Sequence, residues 1–206
     1  MRQSRQQKAR THERIVETAS ARIREQGIDG PGVAEIMRAA GLTHGGFYKH
    51  FESRDDLIAE AADHAFACAE RTLDKYANDE RDPFAAWVDW YASAEHRDDD
   101  GAARCPVPVL AGDVPRARDD VRTRFTAVVE RYIATLEVML GGGDDARRQA
   151  TVAISTLVGS LVLARAVDNE AISDELLRAA REVLKTPPVP TRANQVVGGR
   201  LTPPSR

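Results

Sequence analysis

Apolar residues recur at helical spacing along almost the whole of this 206-residue chain. In the first predicted helix, about Thr11 to Gln26, Ile15 and Ile23 share one face, and Gly27 follows as a stop signal. No stretch combines period-two alternation with β-branched residues, and Ala, Arg, Glu and Leu dominate the composition. The sequence therefore predicts an all-α fold.

Helix breakers and changes in composition divide the chain into three predicted segments. Residues 1–54 end in two short helices separated by Gly41, which indicates a small N-terminal head. Residues 55–185 carry the longer helices of a larger body. Residues 186–206 are rich in Pro, Gly, Thr and Arg, a composition typical of a disordered tail.

Charge is distributed unevenly between the head and the rest of the chain. Residues 1–54 contain ten Lys/Arg and six Asp/Glu, a net charge of +4. Because the whole chain carries −3, the remaining 152 residues sum to −7. A basic head on an acidic body favours a polyanionic partner for the head.

Composition argues against membrane, secreted and metal-cluster proteins. No apolar run reaches the roughly 18 residues of a membrane-spanning helix, and no apolar segment follows the N-terminal charges as in a signal peptide. Two cysteines, Cys68 and Cys105, are too few for a metal cluster and suit a reducing cytoplasm. We expect a cytoplasmic protein without cofactor or metal.

Residues 33–54 carry the most informative pattern: a short apolar helix, a turn with glycine, and a second short helix. Such a helix-turn-helix needs apolar residues that lock the pair and an exposed outer face on the second helix. Phe47 and Phe51 are predicted to point inward. The adjacent Gly45 and Gly46 each cost about 0.8–1 kcal/mol in a helix relative to Ala. Either DNA approaches the backbone closely there, or the helix is loose until it docks.

The segment GLTHGGFYKHFESRDDLIAEA, residues 41–61, closely resembles the signature of TetR-family (tetracycline-repressor-like) regulators. The family's Tyr-x-His-Phe element, polar cap, basic residue and leucine correspond here to Tyr48-Lys49-His50-Phe51, Ser53, Arg54 and Leu57. The strong resemblance covers about residues 11–60, and beyond it only the helical layout and the length match. It implies a three-helix DNA-binding head, a helical body that binds an effector and dimerises, and regulation of transcription, usually as a repressor.

Carried over to this sequence, the resemblance implies contacts with both bases and phosphates. The start of the recognition helix, where the family reads bases, holds Thr43, His44 and Gly45. The phosphate-holding positions, with Lys49 added for its charge, are Tyr48, Lys49, His50 and Arg54. Packing within the head is the alternative for both Tyr48 and His50.

Two features near this motif leave alternatives open. Gly30-Pro31-Gly32 stands where the family often has a serine or threonine that contacts phosphate, so this chain departs from the pattern there. Arg5, Lys8 and Arg10 either follow the DNA backbone or minor groove or make a solubilising tail.

The body offers candidate pocket residues for a small apolar effector. The aromatic and long apolar candidates are Trp87, Trp90, Tyr91, Phe125, Tyr132 and Met139, for each of which core packing is the alternative. Cys105 follows Arg104 and precedes Pro106 at a predicted helix N-terminus, where the helix dipole lowers a thiol pKa. A repressor that senses electrophiles or oxidants through Cys105 is therefore an alternative to release by a ligand.

The last two helices, about residues 144–185, are the predicted homodimer interface. The first of them is apolar on nearly every side in its second half, which indicates burial in the core or against another chain. A dimer would read a palindromic operator, because one short recognition helix reads few bases. An enzyme is disfavoured, since Gly141-Gly142-Gly143 lacks the residues of a P-loop and no nucleophile–base pair is evident. A DNA binder without any effector is the remaining alternative.

Overall fold

The computed structural model describes residues 5–79, 81–100 and 104–186. Within these residues the chain forms helices and no β-strand, so the predicted all-α fold is confirmed. Of the predicted disordered tail, 186–206, all but Thr186 lies outside the described residues.

One long and two short elements make the head: α1 (Arg5–Gln26), α2 (Val33–Ala39) and a 3-10 helix (His44–Lys49). The prediction that α1 begins near Thr11 is wrong, because the helix begins at Arg5 and Thr11 Oγ1 donates to the Gln7 carbonyl at 2.9 Å. The second helix of the motif is a tight 3-10 turn, a form that suits a short piece interrupted by glycines.

A long helix, α3 (Arg54–Asp79), leads from the head into the body. Ser53 and Asp56 make two hydrogen bonds at its N-terminus. Ser53 Oγ accepts from the Asp56 backbone N–H at 3.2 Å and donates to the Asp56 carboxylate at 2.8 Å. Because α3 packs along both α1 in the head and a later helix of the body, α7 (Asp119–Met139), a shift of α3 would alter the packing of both parts.

Among the described residues, six further α-helices and one 3-10 helix (Val114–Arg116) build the body. The α-helices are α4 (Pro83–Tyr91), α5 (Ala94–Asp98), α6 (Pro106–Leu110), α7 (Asp119–Met139), α8 (Ala146–Ala166) and α9 (Glu170–Lys185). Asp82 caps α4 by accepting from the Ala85 N–H at 3.0 Å, and Pro83 follows as the first helical residue.

An aromatic cluster forms the centre of the body. Trp87 is completely buried, and its ring lies 5.0–5.7 Å from four other aromatic rings. These rings belong to Tyr76, Trp90, Tyr91 and Tyr132. Side chains from α3, α4 and α7 meet there, so this cluster holds the body together.

Polar contacts tie the head to the body. The Ile28 N–H, just after α1, donates to the Asp113 carboxylate at 3.0 Å. Arg118, before α7, pairs with Asp56 on the first turn of α3 at 2.8 Å. Exposed ion pairs such as this one contribute only about 0–1 kcal/mol.

The predicted apolar helix is α8, which packs between α7 and α9. By length and composition alone it is the one helix among the described residues that could cross a membrane. Eight of its 21 residues are buried within the fold. Several of its other apolar residues are exposed, including Val152, Val162 and Leu163.

Candidate functional site

The outer face of the 3-10 helix presents side chains that the fold leaves in solvent. Tyr48 is 71% exposed, whereas the neighbouring Phe47 is 1% exposed and packs on Phe51 with ring centroids 5.5 Å apart. The predicted inward positions of Phe47 and Phe51 are thus confirmed. The exposed members of the predicted set are Thr43, His44, Gly45, Tyr48 and Lys49. They lie together on one short turn.

Internal packing does not require a glycine at either position of the Gly45-Gly46 pair. A Cβ added to Gly45 would meet nothing within 4 Å, and one added to Gly46 would meet only the end of Met37 at 3.6 Å. Neither glycine has a positive φ. The absent side chains therefore leave space on the outside of the turn.

His50 lies at the junction between the turn and α1. Its ring is 6.0 Å from that of His12, which bonds Glu60 on α3 at 2.7 Å. Burial, followed by the nearby charges of His12, Lys8 and Lys49, lowers the pKa of His50. Lys8, which the sequence left open between DNA contact and a tail, is an exposed residue of α1.

Arg54 is engaged within the head. Its Nη2 donates to the Ile28 carbonyl at 2.7 Å and its Nε donates to the Pro31 carbonyl at 3.2 Å. The side chain is 31% exposed. In this arrangement Arg54 holds the loop between α1 and α2, the loop that departs from the family pattern.

A cavity of about 220 Å³ lies in the body between α1, α3, α4, α5, α6 and α7. It is lined by Arg24, Cys68, Ala69, Thr72, Trp90, His96, Arg104, Cys105, Pro106 and Tyr132. A larger groove of about 530 Å³ between α1, α3 and α7 is more open and is edged by ionised side chains such as Asp63 and Arg124. The smaller cavity is the better candidate for an apolar ligand, because it is more enclosed and two aromatic residues, Trp90 and Tyr132, wall it.

The structure brings together only part of the predicted pocket set. Trp90, Cys105 and Tyr132 line the cavity. Trp87 and Tyr91 are completely buried behind it. The last two predicted residues are elsewhere: Phe125 packs edge-on against Phe66 at 5.6 Å, and Met139 is the last residue of α7.

His96 is a cavity residue that sequence reasoning missed. It is 1% exposed, and its ring stacks on Trp90 with centroids 4.3 Å apart. Nδ1 lies 2.8 Å from the Tyr91 carbonyl, an oxygen that can only accept, so Nδ1 carries a proton. Burial lowers the pKa of His96 to about 4, so the ring is neutral at pH 7 and Nε2 holds a bare lone pair.

Cys105 differs from its predicted chemistry. It precedes α6 as expected, but it is 7% exposed, and burial raises the pKa of its thiol. The expected lowering by the helix dipole is outweighed because the short α6 has five residues and the thiol is desolvated. The Tyr91 hydroxyl lies 3.9 Å from the sulfur.

Arg24 is the second missed cavity residue, and it comes from the head. It is 6% exposed near the end of α1, and burial lowers the pKa of its guanidinium. Nε donates to the Ser20 carbonyl at 3.0 Å, and Nη1 lies 3.5 Å from the Arg104 carbonyl of the body. A buried arginine on an otherwise apolar helix face gives no sequence signal, which explains the omission.

Comparisons with known proteins agree with these features. The family model described as bacterial regulatory proteins, tetR family, matches residues 15–61. An uncharacterized HTH-type transcriptional regulator of Mycobacterium tuberculosis is 27% identical over 182 residues, which cover 84% of this chain and 93% of that protein. The HTH-type transcriptional repressor DhaR of Mycobacterium sp. (strain GP1) is 24% identical over 131 residues, 64% of this chain and 66% of DhaR.

The fold is also that of a solved regulator. The reduced form of Escherichia coli NemR superposes with a TM-score of 0.74 at 20% identity, over 87% of this chain and all of that one. At this identity the likeness is one of fold.

Proposed function

Because this chain belongs to the tetR family of bacterial regulatory proteins, we propose that it is a homodimeric cytoplasmic repressor that a small effector releases from a palindromic operator. Its relatives are transcriptional regulators and not enzymes. One observation carries the proposal: the polar and aromatic outer face of the 3-10 helix is excluded from the fold, while its inner face is buried.

The chemistry of that face suits DNA. Thr43, His44 and the space beside Gly45 can meet base edges and thymine methyl groups in the major groove. The hydroxyl of Tyr48 and the ammonium of Lys49 suit phosphate oxygens. The Arg54 side chain would act differently, by holding the loop after α1 so that the turn keeps its position.

Exposed apolar residues on α8 and α9 support the dimer. Leu163 on α8 is 53% exposed, and Ile172 and Val183 on α9 are 47% and 65% exposed. A stripe of this kind on two adjacent helices is costly in water and fits a second copy of the same face. Two copies would place two heads side by side, as a palindromic site requires.

An effector bound in the cavity would contact a helix of the head directly. Arg24 belongs to α1 and lines the cavity. The backbone N–H of Ile28, just after α1, bonds to Asp113. A molecule in the cavity would contact α1 and α3 together. Displacing these helices would change the spacing of the two heads, which lowers affinity for DNA.

The test is fluorescence anisotropy with DNA from immediately upstream of the protein's own gene, measured over a salt series. We expect tight, salt-dependent binding by the wild type and loss of binding in a Tyr48→Ala, Lys49→Ala double variant, because two phosphate contacts per head disappear. Lys75→Ala, an exposed lysine on α3, is the matched control and should bind as the wild type does. Equal binding and salt slope in the double variant would refute this surface.

Cys105 supports a second candidate function, an electrophile-responsive repressor. Its sulfur lines the same cavity, so alkylation there would fill it. With an α,β-unsaturated carbonyl compound such as N-ethylmaleimide, the Cys105 thiolate would bond to one alkene carbon as the carbon–carbon π bond breaks, and the neighbouring carbon would take up a proton in place of the one the thiol lost. Cys68, at the same cavity but less buried, is the internal control in a mass map of the alkylated protein. A Cys105 that stays unmodified while Cys68 reacts would exclude this candidate.

A further inference from the structure

We propose that the cavity beside Trp90 and His96 takes a small neutral phenol, whose hydroxyl donates a hydrogen bond to His96 Nε2. The site stands on its own geometry. Only the claim that this molecule is the effector rests on the proposed function.

The size of the cavity limits the ligand to one ring. A cavity of about 150 Å³ is enough to hold benzene. The cavity here measures about 220 Å³, so it has room for a benzene ring and one or two small substituents. Drug-sized ligands need pockets of roughly 300–1,000 Å³. Trp90, Pro106 and Tyr132 supply aromatic and apolar walls.

The unpaired nitrogen of His96 determines what the ring must carry. Nε2 is buried and has no hydrogen-bond partner among the described residues, while Nδ1–H is held by the Tyr91 carbonyl. A buried acceptor without a donor is costly, so a ligand that brings an O–H or N–H donor gains affinity there. A ring with no donor leaves the lone pair unpaired.

The charges around the cavity exclude a cationic donor, and the need for a proton at Nε2 excludes an anionic carboxylate. Arg24 and Arg104 line it, and Arg165 Nη2 donates to the His96 carbonyl at 2.6 Å. An ammonium donor would be repelled by these guanidinium groups, and a carboxylate has no proton to donate at neutral pH. A phenolic hydroxyl donates to Nε2, and its oxygen can still accept from a cationic N–H.

The test compares phenol with anisole, its methyl ether, by isothermal titration calorimetry on the full chain. Anisole keeps the ring and the oxygen but has no donor. We expect phenol to bind wild type about tenfold more tightly, since one buried hydrogen bond separates the two ligands. In His96→Phe, which keeps a ring against Trp90, the preference should disappear. His64→Phe, the same change in the larger groove, should preserve it.

A cavity-filling variant makes the result independent of His96. Thr72→Leu puts extra volume at the partly exposed wall and should weaken both ligands. If His96→Phe does not fold, the phenol–anisole ratio in wild type together with Thr72→Leu decides the matter. Equal affinity of the two ligands, no phenol binding at millimolar concentration, or a preference that survives in His96→Phe would overturn the proposal.

The operator assay separates this proposal from the proposed function. If phenol does not bind while the operator is still bound through Tyr48 and Lys49, the ligand class is wrong and the regulator stands. If phenol binds through His96 and leaves the anisotropy of the DNA unchanged, the site stands and release by this effector fails.

Discussion

The head and the body use unpaired polar groups in opposite ways. On the head, Tyr48 is 71% exposed and its hydroxyl is solvated, so leaving it without a protein partner costs nothing. In the body, Nε2 of His96 is unpaired in a residue that is 1% exposed, where an unpaired acceptor destabilises the fold. Both Tyr48 and His96 can accept a partner, but only His96 destabilises the fold while it lacks one.

This difference affects how each site responds to mutation. A surface that lies outside the packing can change without loss of stability, because no core contact depends on it. Residues around a cavity enclosed by a buried aromatic cluster cannot be substituted without such a loss. Substitutions on the exposed face of the head should therefore change DNA binding without changing stability. Substitutions around the cavity should change both ligand binding and stability.

The largest expected effect is on the body. Trp87→Ala removes a completely buried ring that contacts four other aromatic rings, and we expect the free energy of unfolding to fall by about 3–5 kcal/mol. Tyr48→Ala should change it by less than about 0.5 kcal/mol. Urea denaturation followed by circular dichroism measures both. Similar losses in the two variants would show that the head surface is part of the fold.

The exposed apolar face of α8 should behave like a core, because we propose that a second copy of the chain covers it. Leu163→Glu should shift the protein from dimer to monomer, since burial of a leucine contributes about 1.5–3 kcal/mol for each copy. Val138→Glu, equally apolar and 77% exposed on α7, is the control. Analytical ultracentrifugation reads the result, and an unchanged dimer in Leu163→Glu would place the interface elsewhere.

The same contrast explains how much the sequence could predict. The head was predictable because its motif is local: Phe47 inward and Tyr48 outward follow from neighbouring positions on one turn. The 3-10 form of that turn was not, since helical spacing does not distinguish the two helix types over six residues. The five predicted residues on this turn are all exposed: Thr43, His44, Gly45, Tyr48 and Lys49.

The body cavity was predictable only in part, because its walls come from distant segments. Residue type pointed to Trp90, Cys105 and Tyr132, which line the cavity, but equally to Phe125, which packs against Phe66 away from it. The contribution of Arg24 depends on a contact between residues 80 apart in sequence, which no local pattern encodes.

A smaller effect is expected where the two regions meet. Asp113→Ala removes the acceptor of the Ile28 N–H, and an unsatisfied buried donor costs about 1–3 kcal/mol of unfolding free energy. Asp113→Asn keeps an oxygen at that place and should lose less. Thermal unfolding gives the comparison. If the two substitutions destabilise equally, charge and not the hydrogen bond holds this junction.

The smallest expected effect on stability is at Gly45, where the same substitution also tests how the head binds DNA. Gly45→Ala adds a Cβ that meets nothing within 4 Å at a position without positive φ, so it should stabilise the protein by about 0.4–1 kcal/mol. If the glycine leaves room for DNA, the same change weakens operator binding. If the turn is instead loose until it docks, alanine preorganises it and binding becomes tighter. Gly41→Ala, at φ +70°, is the control that should only destabilise. The sign of the change in operator affinity at Gly45, read by anisotropy beside a melting curve, thus distinguishes a surface shaped for DNA from one that is merely flexible.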